Sequence, residues 1–364
     1  MPESQNIKLI LENGTEIKGY SFGFPDSSAG EVVFNTAMTG YPESLTDPSY
    51  KGQILILTYP LIGNYGVPAS EFENNLLKNF ESDKIHISGL IISDYSFDSS
   101  HWKSHKSLSE WLIENKIPAI YGVDTRMLTK IIREKGSMLG KIIFDNKDIE
   151  FYNPDVENLV DKVSIKNNVT YGKGKNKILL IDCGVKYNII RRLLSLDTTV
   201  IRVPWNYDFT KDEYDGLFIS NGPGDPKMCE ATINNLSIAI KKDKPIFGIC
   251  LGNQLLCLAA GGDTYKLKYG HRSHNQPVIK NGTNRCFITS QNHGFAVNPD
   301  SLTKDWSALF TNLNDNTNEG IIHNEKMIFS TQFHPEASSG PTDTDFLFDL
   351  FIENILKYKK KIAP

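Results

Sequence analysis

Apolar residues in the second half of the chain occur in short continuous runs separated by segments with helical spacing. The runs lie at residues 178–181, 200–203, 217–219, 245–249 and 327–330. Such runs are typical of parallel strands buried on both faces, with helices between them covering the sheet. Amphipathic patterns at 188–195 and 343–358 predict two of these helices. Residues 177–364 are therefore predicted to form an α/β domain with a mostly parallel sheet flanked by helices.

The first part of the chain, residues 1–150, has a less regular pattern. Strand-like segments occur at 7–11 and 53–58, and the apolar positions of 125–134 share one face of a predicted helix. These features predict a smaller, mixed α/β domain. Residues 151–176 are rich in Asn, Asp and Lys and have weak periodicity, so we predict that they form a linker between the two domains.

Composition narrows the class of protein. The 364 residues carry 39 basic and 43 acidic side chains, a formal net charge of −4, with no basic stripe that would suggest nucleic-acid binding. The five cysteines are odd in number and lack Cys-x-x-Cys spacing, which argues against a disulfide framework and a zinc site. The first six residues are polar, and the apolar runs are shorter than the roughly 20 residues of a membrane span. We therefore expect a cytoplasmic protein.

A candidate nucleophile follows the strand at 245–249, which runs into Gly248-Ile-Cys250-Leu-Gly252 and then into a helical pattern. Two glycines let the backbone pass closely on both sides of a tight strand-to-helix turn, as in the nucleophile elbow of hydrolases. Such a turn lifts the sulfur of Cys250 out of the sheet and places it at the positive end of a helix, which favours the thiolate. For this motif alone, the alternative is a buried structural cysteine.

A candidate base follows the strand at 327–330, in the segment Gln332-Phe-His334-Pro-Glu336. In extended backbone the side chains of His334 and Glu336 point the same way, so the carboxylate can fix the tautomer of the imidazole. Cys250, His334 and Glu336 thus form a candidate Cys-His-Glu triad, in the chain order nucleophile, base and orienting group. Taken alone, such a His-Glu pair is more often part of an ordinary loop.

A third segment, residues 220–226, has the sequence Ser-Asn-Gly-Pro-Gly-Asp-Pro and follows the strand at 217–219. It is either a stiff turn or a ligand-binding loop with exposed backbone N–H groups. Its position at the carboxyl end of a strand favours binding, because open α/β sheets bind ligands there. We predict that the N–H groups of Gly222 and Leu251 form an oxyanion hole.

The chain has neither Gly-x-x-x-x-Gly-Lys-[Ser/Thr] nor Gly-x-Gly-x-x-Gly, so no nucleotide site is expected. A nucleophilic cysteine without a metal, a nucleotide or a redox partner indicates acyl transfer from a small amide or ester.

Three segments, Cys250-Leu-Gly-Asn-Gln254, Asn221-Gly-Pro-Gly-Asp-Pro226 and His334-Pro-Glu336, together resemble the signature segments of the class I, triad-type glutamine amidotransferases. Segments of the first half closely resemble the domain peculiar to the small, glutamine-hydrolysing subunit of carbamoyl-phosphate synthase: 31–43, 45–50 and 58–65. The resemblance covers nearly the whole chain. It implies a class I glutamine amidotransferase fold at 177–364, preceded by the small-subunit domain.

The resemblance implies hydrolysis of glutamine to glutamate and ammonia. Cys250 is the implied nucleophile, forming a γ-glutamyl thioester, with His334 as base and acid and Glu336 orienting it. The residues that match the glutamine-binding groups of the family are Ser49, Gly222, Gly224, Leu251, Gln254, Asn292, Gly294 and Phe295. Because Ser49 comes from the other domain, the resemblance implies that the substrate binds at the domain boundary.

In this family the ammonia passes through a tunnel to a large subunit, which consumes ATP and bicarbonate to make carbamoyl phosphate for arginine and pyrimidine synthesis. The resemblance therefore implies that large subunit as an obligatory partner, in a heterodimer or a higher assembly. It also implies ATP and Mg on the partner, with no cofactor and no metal in this chain, and no nucleic-acid or membrane partner.

Two positions depart from the family pattern. Asn253 stands where His is common, and Phe333 stands where Gly commonly precedes the triad histidine. We expect modest effects on the rate or on coupling to the partner, because neither residue replaces a triad member. Asn253 is expected to point along the new helix, and Phe333 is expected only to crowd the end of the strand.

Two alternatives stay open. Another amidotransferase, such as the glutamine subunit of anthranilate synthase, is disfavoured by the long N-terminal half. A non-catalytic regulatory scaffold is disfavoured by the complete Cys-His-Glu set.

Overall fold

The computed structural model describes residues 7–362, so the polar residues 1–6 used in the sequence argument lie outside the described residues. The chain divides into two compact units, Met1–Val156 and Glu157–Pro364. Strands and helices are numbered here in chain order through both units. No helix of the described residues is long and apolar enough to cross a membrane.

The first unit is built on a closed barrel. The strands of this unit, seven of which form the barrel, are β1 Ile7–Leu11, β2 Glu16–Ser21, β3 Ser28–Asn35, β4 Gln53–Leu57, β5 Leu61–Ile62, β6 Val67–Pro68, β7 Phe72–Glu73, β8 Leu76–Leu77, β9 Gly89–Ile91, β10 Asp94–Tyr95, β11 Ser104–Lys106, β12 Ala119–Tyr121 and β13 Met138–Phe144. Its helices are α1 Tyr41–Thr46, α2 Leu108–Glu114 and α3 Thr125–Lys135. The barrel has the strand order β1-β13-β3-β4-β9-β12-β2, in which β3, β4, β9 and β12 run parallel.

Local sequence explains the helices of this unit. Ser107 and Glu110 form a capping box at the start of α2, which satisfies N–H groups that the helix cannot bond internally. Asp124 caps α3, and Leu128 and Ile132 on its apolar face are fully buried. The predicted helix at 125–134 and the predicted mixed α/β character are confirmed.

The second unit contains a ten-stranded sheet. Its strands are β14 Val169–Tyr171, β15 Asn176–Asp182, β16 Thr198–Pro204, β17 Gly216–Ile219, β18 Ile246–Ile249, β19 Thr264–Lys280, β20 Cys286–Val297, β21 Trp306–Asn312, β22 Asn318–His323 and β23 Ile328–Thr331. Its helices are α4 Leu159–Val163, α5 Tyr187–Leu194, α6 Glu230–Ala239, α7 Leu251–Ala259 and α8 Phe346–Ile362. The strand order is β14-β16-β15-β17-β18-β23-β22-β21-β19-β20.

The predicted parallel strands form the block β16-β15-β17-β18-β23 of this sheet. The remaining strands β14, β22, β21, β19 and β20 join it in antiparallel pairs. The predicted linker of residues 151–176 contains α4 and the edge strand β14 of this sheet. A three-residue edge strand gives no apolar run, which is why periodicity did not predict it.

Helices cover both faces of the parallel block. Leu217 and Ile219 of β17 pack in one core with residues of α6 and α7. Phe218, which points to the opposite face, stacks on Phe348 of α8 at a ring distance of 6.0 Å. This alternation within one strand is what a sheet buried on both faces requires. It leaves the carboxyl ends of the parallel strands free to carry functional groups.

Candidate active site

The turn at Cys250 has the geometry of a nucleophile elbow. Cys250 joins β18 to α7 with φ 56° and ψ −104°, a conformation that side-chain-bearing residues rarely adopt. A Cβ atom on Gly248 would lie 2.6 Å from the carbonyl oxygen of Gly252, and one on Gly252 would lie 2.3 Å from that of Ile219. Backbone atoms cannot give way as a flexible side chain can, so both positions require glycine.

Cys250 differs from the other cysteines in its surroundings. Its N–H donates to the carbonyl of Thr331 at 2.7 Å, and its thiol donates to the carbonyl of Asn292 at 3.6 Å. Burial raises the pKa of the thiols that serve the apolar core, which are Cys183, Cys229 and Cys257. Cys286 is exposed on β20. Cys250 is instead held at the carboxyl ends of β18 and β23, beside a histidine.

That histidine is His334, which follows β23. Its N–H donates to the carbonyl of Ser290 at 2.9 Å, which anchors the turn to β20. Its Nδ1 donates to Oε1 of Glu336 at 2.7 Å, so Nε2 is the basic nitrogen. Among residues 7–362, no group makes a hydrogen bond to that Nε2, although the thiol of Cys250 lies near enough to raise the pKa of His334. The predicted pairing of His334 with Glu336 is present.

The charges of the pair reinforce each other. Burial has the largest influence and lowers the pKa of His334, but the carboxylate of Glu336 and the thiol of Cys250 together outweigh it, so the net shift is upward from 6.5. Burial raises the pKa of Glu336, yet Lys186 and His334 together lower it from 4.5 to about 2. The imidazolium that forms when His334 takes a proton is therefore stabilised before any substrate arrives.

Lys186 is the residue that the sequence argument missed. Its Nζ lies 2.9 Å from Oε1 of Glu336, and both side chains are at least nine-tenths buried. The side chain of Asn188 also donates to the carbonyl of Glu336. Lys186 precedes α5 and its N–H donates to Oδ1 of Asn221 at 3.1 Å. The available signal was a lysine just after the buried strand β15, at the same end of the sheet as Cys250.

Gly222 and Leu251, the predicted oxyanion donors, are neighbours. A Cβ atom on Gly222 would lie 2.0 Å from the carbonyl oxygen of Cys183 and 2.8 Å from Cδ2 of Leu251. Leu251 is the first residue of α7, so its N–H has no acceptor within the helix. Both backbone groups therefore lie beside the elbow, and their role as oxyanion donors stays a prediction.

The predicted glutamine-binding residues of this unit flank Cys250 on β20 and α7. Gln254 is buried, and its Nε2 donates to the carbonyl of Phe295 at 2.8 Å. Asn292, whose carbonyl accepts from the thiol, is half-buried like Gly294 and Phe295 on the same strand. The structure thus brings α7 and β20 together around the sulfur of Cys250. The binding roles themselves stay predictions.

Two other predicted binding residues lie elsewhere. Gly224 adopts φ +83°, and a Cβ atom there would contact Leu159 of α4 at 3.4 Å. Ser49 belongs to the first unit, in the short 3-10 turn Pro48–Tyr50, where it is buried and its N–H donates to Oδ1 of Asp47 at 2.9 Å. Its predicted contact with glutamine stays a prediction.

The two departures from the family pattern are both buried. Asn253 does not point along α7 as expected: its Nδ2 donates to Oε1 of Gln332 at 3.0 Å, and its Oδ1 accepts from Oγ of Ser330 at 2.8 Å. This network links α7 to β23. Phe333 is fully buried and packs edge-on against Phe310 at 5.1 Å. Both residues therefore support the segment that carries His334.

The fold and this site define a class I glutamine amidotransferase domain. Residues 179–354 match the family "Glutamine amidotransferase class-I". Residues 9–142 match the family "Carbamoyl-phosphate synthase small chain, CPSase domain". The chain therefore belongs to the family of carbamoyl-phosphate synthase small chains, and the predicted fold class is confirmed.

Relatives with this pair of domains are larger proteins. The chain is 57% identical over 352 residues to "Multifunctional protein CAD" of Squalus acanthias, covering 95% of this chain and 16% of that one. It is 51% identical over 362 residues to "Carbamoyl-phosphate synthase [ammonia], mitochondrial" of Homo sapiens, covering 98% of this chain and 24% of that one. A solved glutamine amidotransferase from Thermotoga maritima has a TM-score of 0.37 and 21% identity, covering 52% of this chain and 86% of that one. The chain thus spans about a sixth to a quarter of the length of the curated relatives it matches.

Proposed function

We propose that this chain hydrolyses L-glutamine to glutamate and ammonia and supplies the ammonia for carbamoyl-phosphate synthesis. The observation that carries the proposal is the elbow at Cys250, with His334 near its thiol and Glu336 bonded to the imidazole. The match to both family domains supports the synthase context.

The geometry supports a two-stage acyl transfer. Nε2 of His334 takes the thiol proton, and the sulfur of Cys250 attacks the side-chain amide carbon of glutamine. The negative oxygen of the tetrahedral intermediate is stabilised by the N–H groups of Gly222 and Leu251, each typically worth about 10²–10³ in rate. His334 then protonates the leaving nitrogen, ammonia departs, and a γ-glutamyl thioester remains on Cys250. Water, deprotonated by His334, hydrolyses the thioester to glutamate.

The binding site of the proposal uses the residues that match the family. Glutamine is held by Ser49, Gly222, Gly224, Leu251, Gln254, Asn292, Gly294 and Phe295. Ser49 is the member of this set that comes from the first unit.

The partner of the proposal is a large synthase subunit that holds ATP and Mg and makes carbamoyl phosphate from bicarbonate. Its support is that the matching region makes up 16% and 24% of the two relatives, which leaves most of each protein for other activities. We propose that the product serves arginine synthesis, pyrimidine synthesis or both, in the cytoplasm. Cell fractionation decides between the cytoplasm and the mitochondrion, which the human relative carries in its name.

Reconstitution with the large subunit tests this function. Wild-type chain should support carbamoyl-phosphate synthesis from glutamine or from ammonium, whereas Cys250→Ser should support synthesis from ammonium alone. Cys286→Ser, at an exposed cysteine, is the matched control and should behave as wild type. We also expect glutamate release to rise by at least about tenfold, some 1.4 kcal/mol of barrier, when the large subunit and ATP are added. Equal use of glutamine by wild type and Cys250→Ser would refute the proposal, and a wild type that uses only ammonium would favour an ammonia-dependent synthase.

A further inference from the structure

A second cluster of buried ionisable residues lies on β19, β20 and β22. His271 and His293 are cross-strand partners of the antiparallel pair β19–β20, so their side chains leave the same face of the sheet. Their ring centroids are 4.9 Å apart at an interplanar angle of 84°. The fully buried carboxylate of Glu319 meets both rings: its Oε1 lies 3.4 Å from Nδ1 of His271 and 3.9 Å from Nε2 of His293.

Outer hydrogen bonds fix the tautomer of both histidines. Nε2 of His271 lies 2.8 Å from Oδ2 of Asp315, and a carboxylate can only accept, so this nitrogen carries the proton. Nδ1 of His293 lies 2.9 Å from the carbonyl oxygen of Phe295, so this nitrogen carries the proton of the second ring. The two nitrogens nearest Glu319 are therefore lone-pair acceptors in the neutral rings.

Further acceptors meet at the same place. Oε1 of Gln291 lies 3.3 Å from Nε2 of His293, while the amide nitrogen of Gln291 donates to Thr289 at 3.2 Å. Oε1 of Glu319 accepts from Asn312, but within residues 7–362 Oε2 of Glu319 and Nδ1 of His271 have no hydrogen-bond partner. A buried polar atom without a partner destabilises the folded state. Several hydrogen-bond acceptors thus face one point with too few donors among them. A cation bound at that point would interact favourably with their lone pairs.

We propose that His271, His293 and Glu319 bind a divalent transition-metal ion, with Zn²⁺ the best match. Two imidazole nitrogens and a carboxylate oxygen are ligands that Zn²⁺ prefers, and the three ligand atoms lie within 4.8 Å of one another. Asp315 holds the ring of His271 as outer carboxylates do in His-ligated zinc sites. A divalent ion with two neutral imidazoles balances the charges of Glu319 and Asp315. Oε1 of Gln291 or a water completes the coordination.

The consequence is structural. His293 lies between Asn292 and Gly294, two of the proposed glutamine contacts, so an ion on His293 holds β20 against β19 and β22. The site differs from the expectation of no metal in this chain, which rested on cysteine spacing and on the family resemblance. It is independent of the proposed glutamine chemistry, since none of its ligands belongs to the triad.

Metal affinity tests the site directly. The full chain carrying Cys250→Ser, which removes a competing thiol, is stripped with EDTA and titrated with Zn²⁺ against a chelating dye. We expect one tight Zn²⁺ per chain. Glu319→Gln keeps the shape of the side chain and should weaken binding at least tenfold, and Asp315→Asn should weaken it by roughly 10–100-fold. His323→Ala, a change of a partly exposed histidine on the same strand, is the control and should bind as the parent. Equal affinity in all four proteins would overturn the proposal.

A spectrum and a melting curve give readouts that do not depend on replacing any proposed metal ligand. Co²⁺ bound to the Cys250→Ser chain should show ligand-field bands without a thiolate-to-metal charge-transfer band. Zn²⁺ should raise the Tm of that chain, and Mg²⁺ should not. A thiolate band, or a Tm that Zn²⁺ leaves unchanged, would refute the site and favour a proton shared between His271 and the two carboxylates.

Discussion

Nζ of Lys186 lies 2.9 Å from Oε1 of Glu336, the same oxygen that accepts the hydrogen bond from the imidazole of His334 at 2.7 Å. One buried carboxylate oxygen thus faces two cations, and both help to lower the pKa of Glu336 to about 2. The proposed base is therefore oriented by an anion that is itself fixed in place. Replacing Lys186 or Glu336 should therefore have measurable effects.

Replacement of Lys186 by Met should destabilise the protein by roughly 1.5–3 kcal/mol, the usual worth of a hydrogen bond to a charged group. Glu336 keeps His334 as its partner, so the fold should survive. Urea denaturation measures the change. The matched control is Lys227→Met, because the Lys227–Asp263 pair has a similar distance of 2.7 Å but about half-exposed side chains. Exposed ion pairs contribute about 0–1 kcal/mol to stability. Equal losses of unfolding free energy in the two variants would therefore contradict a larger contribution from the buried Lys186–Glu336 pair.

Replacement of Glu336 by Gln should lower the pKa of His334, because the carboxylate is the largest group that raises it. In the wild type the raised pKa stabilises the native state fully below about pH 6.5, and this stability is lost as the pH rises through the folded value. The depressed pKa of Glu336 adds stability above about pH 4.5 that is lost as the pH falls towards 2. An NMR titration of the imidazole signals, with His334 assigned from its own variant, measures the shift.

A suitable control for that titration is Glu325→Gln, a change of a carboxylate in the turn between β22 and β23, which should leave the His334 curve unchanged. An unaltered His334 pKa in Glu336→Gln would mean that Glu336 does not hold the imidazolium.

Replacement of Gly248 by Ala should disrupt the elbow, since the new Cβ would lie 2.6 Å from the carbonyl oxygen of Gly252. We expect a loss of about 1–3 kcal/mol in stability and slower alkylation of Cys250 by iodoacetamide. Gly14→Ala is the comparison: its φ of +85° is also unfavourable for alanine, but no atom lies within 4 Å of the new Cβ. Gly14→Ala should therefore leave the alkylation rate unchanged, and equal rates in both variants would contradict a steric requirement at the elbow.

Replacement of Ser49 by Ala should raise the KM for glutamine more than it lowers kcat, because a binding group acts on the ground state and the transition state alike. Steady-state glutamate release by the reconstituted complex measures both constants. A loss confined to kcat would show that Ser49 has no binding role.

The sequence was most informative where the chemistry is local. The elbow at Cys250 follows from two nearby glycines, and the pair His334–Glu336 follows from a spacing of two in extended backbone. The parallel strands follow from continuous apolar runs. Each of these signals lies within a few residues of the group that it predicts.

Long-range features had no such signal. Lys186 meets Glu336 across 150 positions of the chain. The barrel of the first unit closes through pairs of strands that lie far apart in sequence, such as β1 with β13 and β2 with β12. The hairpin β19–β20 is rich in polar residues, because its buried face holds His271 and His293 in place of an apolar run. Polar residues buried by a network cannot be told from exposed ones by hydropathy.

The central claim is that Cys250 carries the acyl group of glutamine, and acid-quenched mass spectrometry tests it most directly. The chain, with the large subunit and ATP present, is mixed with glutamine, quenched in acid within a single turnover and digested with a protease. We predict a γ-glutamyl adduct on the peptide that contains Cys250, removed by hydroxylamine as a thioester should be, and no adduct in Cys250→Ser. Glutamate formation without an adduct on Cys250, or with an adduct on another residue, would contradict the account.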